Sequence, residues 1–412
     1  MTDNHPTHEA PLSTISTRYL ESRPKGERSP LGQFLTPKIL REALVDMVHL
    51  EPGMRVLDPG VGTGEFLRTC LDREPRLKTS GWDVDPPVLE AAELLVPEAD
   101  LKQQSALEAP RSASFDVVIG NPPYYEMRSI GPELRSRYAA VISGRPNIFA
   151  LFFLVGFHAL QEGGQLAFVV PPSMNNGAYF DKLRAFIVAH FSIENLRVFE
   201  DPFLFEDAQT AVQLIVLRKG GHSKKFTAEL GALSGSPKSR TIFAERADEL
   251  ASMYEGSTTL HALGYQAVTG SVVWNTKRDQ LSRTPGTGSI PLIWAHNITE
   301  SEHVVLTPDH PKRPQFIHGQ APLVGPAIVV NRITGSVGSG KLRCALVPDG
   351  MEFVGENHVN VIRPLAGVSQ HADWQELLEA LRRPEVNRRI RYHTGNTQVS
   401  ATELSYWVPL SI

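Results

Sequence analysis

Asn121-Pro122-Pro123-Tyr124 sets an amide, a constrained carbonyl and an aromatic ring side by side, directly after the apolar run Phe115 to Gly120. A short β-branched run of this kind predicts a buried strand that stops abruptly. The two prolines remove two backbone donors and fix two φ angles, so the chain past Asn121 holds one shape. In open parallel sheets, the carboxyl ends of the strands are where ligands bind.

A second motif says what could bind there. Met54 to Leu57 predicts a strand running into Asp58-Pro59-Gly60-Val61-Gly62-Thr63-Gly64-Glu65. Alternating glycines let the backbone turn sharply and approach a ligand closely. A dinucleotide site would favour a G-x-G-x-x-G spacing with a pyrophosphate at the helix N-terminus. Here Asp58 and Glu65 flank the loop, and two carboxylates repel a pyrophosphate but suit a ligand with positive charge. S-adenosylmethionine is therefore expected rather than NAD. About 20 residues further on, an acid at the next strand end takes ribose hydroxyls in such folds, and Asp83 is the candidate. Asp85 is expected to cap the helix that begins at Pro86.

The elements that must position these residues follow from periodicity and punctuation. Residues 1–30 predict a flexible arm. Thr36 is expected as an N-cap with Pro37 at the first helical position, before a stripe of Leu40, Ala43, Leu44, Met47 and Val48. A third strand is expected at 101–103, and the fourth runs into Asn121. Residues 125–146 predict an active-site loop, and 148–161 a buried helix. A fifth strand is expected at 166–170, a helix at 179–191, and a sixth and seventh strand as an antiparallel hairpin at 196–199 and 210–217. The series predicts an α/β fold, a doubly wound Rossmann-like sheet with an antiparallel terminal hairpin, over residues 31–220. A linker is expected at 221–245 and a mixed α+β domain at 246–412, with strands at 327–333 and 358–362 and a helix at 374–383.

Composition narrows the function classes. The chain has 412 residues, is 41% hydrophobic and 21% charged, and carries a formal net charge of −4. No apolar run is long enough to span a bilayer. The polar N-terminus lacks a signal core, and two distant cysteines, Cys70 and Cys344, form no framework. A cytoplasmic protein is expected. From Thr241 onward there are 15 Lys and Arg against 16 Asp and Glu. Contact with nucleic acid must then depend on local patches. The densest is Arg382, Arg383, Arg388, Arg389 and Arg391 around Glu385, with Arg332 on a strand as a further candidate. No histidine spacing suggests a metal site.

Taken in order, Gly32 to Pro37, Asp58 to Phe66, Asp83, Asn121 to Tyr124 and a later Phe resemble the gamma-class, Taq-type DNA adenine-N6 methyltransferases of restriction–modification systems, over roughly residues 30–220. The resemblance implies that Thr36, Asp58, Gly60, Gly62, Asp83, Val84, Ser105, Asn121 and Pro123 bind S-adenosylmethionine. Where the family often has an Asp for the cofactor's adenine amino group, this chain has Ser105, with Gln104 as a substitute. Asn121, Pro122 and Tyr124 are the implied catalytic residues. Tyr124 and Phe205, with Phe203 as the alternate, are the implied stacking partners of a flipped target base. The C-terminal region is similar to target-recognition domains at Ile328 to Ile333 followed by Glu356 to His358, and at Gly395 to Ser400 leading to Val408-Pro409.

The resemblance implies double-stranded DNA as partner, a separate cognate restriction endonuclease, a monomer, and no membrane association. Glutamine-N5 methyltransferases of proteins also carry Asn-Pro-Pro-Tyr, because an amide nitrogen poses the same chemical problem. Protein glutamine and RNA adenine are therefore the alternative targets. In the glutamine enzymes the extra domain usually precedes the catalytic one, whereas here about 170 residues follow it.

Overall fold

The computed structural model describes residues 12–23, 35–127, 129–142, 144, 146–199, 212–221, 223–332, 341–394 and 398–412. The chain divides into two compact units, 1–227 and 228–412.

In the first unit, chain order is α1 Thr14–Ser22, α2 Lys38–Val45, β1 Arg55–Asp58, α3 Glu65–Arg73, β2 Lys78–Asp83, α4 Pro86–Leu95, β3 Asp100–Gln103, β4 Phe115–Gly120, α5 Pro132–Arg137, α6 Ile148–Ala159, β5 Leu160–Val170, α7 Asp181–His190, β6 Phe191–Phe199 and β7 Val212–Lys219. The strands form one seven-stranded sheet, ordered β3-β2-β1-β4-β5-β7-β6. Neighbours from β3 to β5 are parallel, whereas β7 runs antiparallel to both β5 and β6. This is the doubly wound sheet with an antiparallel terminal hairpin that the sequence predicts. The order reverses between β1 and β4, which puts the ends of these two strands side by side at the switch point.

Helices cover both faces of the sheet because the strands are apolar on both sides. Leu40 and Leu44 of α2 and Phe66, Leu67 and Cys70 of α3 pack with Val56, Val117, Ile119, Val169 and Leu214. The other face carries α6, whose apolar residues run nearly all round and are nearly all buried. Phe153 meets Phe168 edge to face at 5.4 Å. Full burial of each such ring contributes about 1.5–3 kcal/mol. Asn147 caps α6 by accepting from the Phe149 N–H.

Three local expectations are corrected. The segment expected as a flexible arm contains α1, which packs Tyr19, Ile15 and Leu20 against Val88 and Ala91 of α4. The N-cap of α2 is Pro37, without a side-chain cap, so Thr36 lies one residue outside the helix. Asp85 is the N-cap residue of α4 but makes no capping bond, because its carboxylate is taken by Tyr19 and Arg23.

The second unit opens at the boundary with β8 Thr227–Glu229, α8 Leu230–Ser234 and β9 Thr241–Phe243, which fall within the stretch expected as a linker. Leu230 and Ile242 are buried with Leu250, Tyr254 and Trp407, so an apolar cluster rather than a tether holds this stretch. Next come α9 Ala247–Ser252, β10 Tyr265–Thr269, β11 Leu281–Ser282, β12 Ser289–Ile293, β13 Phe316–His318, β14 Leu323–Val324, β15 Ala327–Asn331, β16 Cys344–Val347, β17 Glu352–Gly355 and β18 Val359–Pro364. Three helices close it: α10 Trp374–Arg382, α11 Pro384–Thr394 and α12 Ala401–Tyr406. The strands form a sheet β10-β18-β15-β16, a second β11-β13-β12-β17-β14 and the β8–β9 ribbon. A mixed α+β unit was the expectation here.

Candidate active site

At the carboxyl ends of β1, β2, β3 and β4 lies a cavity of about 200 Å³. Thr36, Asp58, Gly60, Gly62, Asp83, Val84, Ser105, Asn121 and Pro123, all singled out from the sequence, line it together. They come from five separate stretches of chain, and the switch-point topology brings them to one place. The wall is completed by Leu35, Phe66, Val88, Ala106, Leu107, Ile148 and Phe152, with Gln104 and Tyr125 adding polar groups.

Two glycines permit this geometry. Gly64 enters α3 at φ 88°, and a Cβ there would meet Val96 Cγ2 at 2.8 Å. A Cβ on Gly120 would sit 2.5 Å from Asp58 Oδ1. The residue just before Asn121 must therefore be glycine for the Asp58 carboxylate to occupy its place.

The electrostatics single out two carboxylates. Asp58 is 2% exposed and accepts the Gly60 N–H at 3.0 Å. Burial pushes its carboxyl up to about 7, the Gly60 N–H opposes the shift, and nearby Asp83 adds to it. Asp83 accepts the Gly62 N–H at 3.1 Å on one oxygen and the Asp85 N–H at 3.0 Å on the other. Burial also raises Asp83, and those backbone donors hold it down. Each Asp83 oxygen keeps a lone pair for a ligand hydroxyl. Glu65 does not act as the free carboxylate the sequence suggested. It is buried and paired with Arg41 at 2.8 Å, and it accepts the Ser13 N–H. The positive charge expected of a ligand is matched by Asp58 and Asp83 alone among the lining residues.

Helix α1 braces this site from outside the cavity. Ser16 Oγ and Thr63 Oγ1 share a buried hydrogen bond of 2.6 Å. The Tyr19 hydroxyl and Arg23 Nη1 both donate to Asp85 Oδ2, at 3.2 and 2.6 Å. Burial first, and Asp85 second, push the Tyr19 phenol up to about 12. The chain segments that carry Gly62 and Asp83 are thus fastened to one helix. No sequence motif marks this, because the partners lie dozens of residues apart.

At the opposite side of Asn121, Pro122 is buried, and Tyr124 is half-buried and lies off the cavity lining. The Tyr124 hydroxyl donates to the Val169 carbonyl at 2.7 Å, and its ring meets Phe149 edge to face at 6.2 Å. Tyr125, not singled out from the sequence, lines the cavity instead. Phe205 and Phe203 lie outside the described residues.

The arginines proposed to touch DNA are mostly committed elsewhere. Arg382 donates to the carbonyls of Cys344 and Ser301, Arg383 to that of Ser411, and Arg389 to that of Pro409. Arg332 donates from Nη1 to the Asn357 carbonyl, while its buried Nε has no partner among the described residues. Arg388 is exposed. Among the described residues, no group of His, Cys, Asp and Glu could hold a metal ion, and no helix is long and apolar enough to cross a membrane.

Comparison with known proteins finds similarity to restriction–modification methylases. Residues 89–205 match the family model described as Eco57I restriction-modification methylase. Modification methylase CviBIII of Paramecium bursaria Chlorella virus NC1A is 29% identical over 220 residues, which are 52% of this chain and 56% of the relative. The chain thus spans about half the length of that methylase. Type II methyltransferase M.BsuBI of Bacillus subtilis is 23% identical over 456 aligned positions, covering 95% of this chain and 90% of its own. Among solved structures, the type IIG restriction endonuclease BpuSI matches with a TM-score of 0.42 and 14% identity, covering 91% of this chain and 55% of its own.

Proposed function

We propose that this relative of the restriction–modification methylases transfers a methyl group from S-adenosylmethionine to the N6 nitrogen of an adenine flipped out of duplex DNA. The observation that carries the reading is the convergence of five chain segments on one cavity that ends at Asn121. The residues fit that cofactor. Asp58 and Asp83 supply negative charge without a neutralising cation among the described residues, Asp83 keeps lone pairs for two hydroxyls, and the wall around Ile148 and Phe152 is apolar. Ser105 and Gln104 both line the cavity, so a polar contact at the third strand end survives the loss of the usual Asp.

The bound cofactor supplies an electrophilic methyl group on a cationic sulfur. The chain's own residues do the rest. Adenine's exocyclic nitrogen is a poor nucleophile because its lone pair is delocalised into the ring. The Asn121 side-chain oxygen and the Pro122 carbonyl accept its two hydrogens and favour a pyramidal nitrogen with a localised lone pair. No strong base acts first, since the proton leaves from the methylated, cationic product. Positioning supplies most of the rate. The rigid Pro122-Pro123 backbone fixes the acceptors, and the Val169 carbonyl fixes the orientation of Tyr124, which stacks on the flipped base. The second unit reads the duplex, and a separate endonuclease is the biological partner.

The test supplies labelled S-adenosylmethionine with duplex DNA, RNA and a release-factor protein in parallel. Label in duplex DNA is the expected result. Label confined to protein or to RNA would replace the DNA reading with glutamine or RNA adenine methylation.

A further inference from the structure

Two groups of arginines in the second unit differ in what their guanidinium groups do. In the first group, Arg382, Arg383 and Arg389 donate to backbone carbonyls of their own unit. In the second, Arg278 and Arg313 lie over tryptophan rings. The Arg313 guanidinium is 5.0 Å from the Trp274 centroid and 4.8 Å from that of Trp294, and Arg278 is 5.1 Å from Trp274. Trp294 is buried and anchored by an Nε1 bond to the Pro314 carbonyl, whereas Trp274 is half-buried. Neither the Arg278 nor the Arg313 guanidinium takes part in a hydrogen bond or ion pair among the described residues.

Stacking uses the flat face of a guanidinium and leaves the N–H donors around its edge available. Such an arginine has lost much of its rotamer freedom before any partner arrives, and its fork matches a phosphate bidentately. Exposed Lys312 adds a third positive charge, while Arg283 braces the same segment by donating to the His310 and Pro311 carbonyls. The exposed acids Asp279 and Asp309 lie nearby in sequence and pair with none of these cations.

We infer that Arg278 and Arg313, held on Trp274 and Trp294, are contacts of the second unit to the phosphate backbone of duplex DNA. The inference rests on the DNA reading above and deepens it. It also shifts the emphasis from Arg382, Arg383 and Arg389, each of which gives at least one donor to a backbone carbonyl.

The test measures binding of a fluorescent DNA duplex by anisotropy over a salt series, for the full chain and for Arg278→Ala, Arg313→Ala and Arg383→Ala. Each backbone contact contributes about 0.9 to the slope of log affinity against log salt. Arg278→Ala and Arg313→Ala are expected to lower that slope by about one each and to weaken binding on any duplex sequence. Arg383→Ala should leave the slope unchanged. A thermal melt of the same variants reports that the second unit remains folded. Trp274→Phe, which keeps a ring under the arginines, should retain more affinity than Trp274→Ala. Wild-type slope and affinity in both stacked-arginine variants would overturn the inference while leaving the DNA reading standing. Absence of duplex binding by the wild type would overturn both.

Discussion

The acids at the first unit's cavity and the buried amides of the second unit serve different ends. In the second, buried amides satisfy the unit's own backbone. Asn297 donates to the Val305 carbonyl, Gln315 to that of Leu292, Asn331 to that of Lys341 and Asn360 to that of Val399. In the first, Asp58 and Asp83 sit at strand ends with acceptor capacity turned to a cavity, and burial raises both. A buried amide that completes a local hydrogen-bond set stabilises its unit. A buried carboxylate with no cation is costly to fold around, and it is retained where a ligand will supply the missing charge. Buried polarity alone therefore does not mark a site; buried polarity aimed at a cavity does.

The sharpest way to break this contrast is at Asn121. Asn121→Ala should lower kcat by roughly 10²–10³-fold, the scale of removing one positioned transition-state partner. S-adenosylmethionine affinity should stay near wild type by calorimetry. Near-normal turnover would remove Asn121 from the chemistry.

The second prediction concerns pH. Asp58 holds its proton up to about 7 in the free fold, whereas an unfolded Asp releases it near 4. The free protein should thus lose stability as pH rises from about 4 to about 7, since the unfolded state gives up its proton first. A cationic ligand favours the ionised form. Its affinity should then weaken by about tenfold per pH unit below 7 and level off above it. Asp58→Asn should flatten the profile. A profile unchanged in that variant would assign the proton to another group.

Two smaller effects sharpen the comparison. Asn297→Ala leaves Gln315 and the Val305 carbonyl short of a donor and should destabilise the second unit by about 1–3 kcal/mol in a melt. Cofactor affinity in the first unit should not move; a parallel loss would mean that the units do not act separately. Tyr124→Phe removes only the bond to Val169 and should cost about 1 kcal/mol of stability or less, with methyl transfer nearly intact. A large fall in kcat would show that the hydroxyl, not the ring, matters.

What could be read in the sequence follows the same divide. The Gly60–Gly64 loop, Asp83 and Asn121-Pro122-Pro123 are local patterns whose chemistry is fixed by neighbours in the chain. All of them line the cavity, apart from the Gly64 hinge and Pro122 beside it. The doubly wound class and its antiparallel end were legible because helix and strand patterns largely alternate up to Lys219. Long-range pairing was not legible. Arg41 neutralises Glu65 across 24 positions, Ser16 reaches Thr63 and Tyr19 reaches Asp85 across still more. A run of arginines looks like a nucleic-acid patch until Cys344, Ser411 and Pro409 are found to take its donors. Arg278 and Arg313, separated by strands, form no run in the sequence. Their tryptophans lie close only in the fold.

The most direct measurement of the central claim is nucleoside mass spectrometry of duplex DNA after reaction with the wild-type chain and S-adenosylmethionine. The account predicts N6-methyladenine, absent when Asn121→Ala is used. Methylation on cytosine, or no methylated nucleoside from the active wild type, would contradict it.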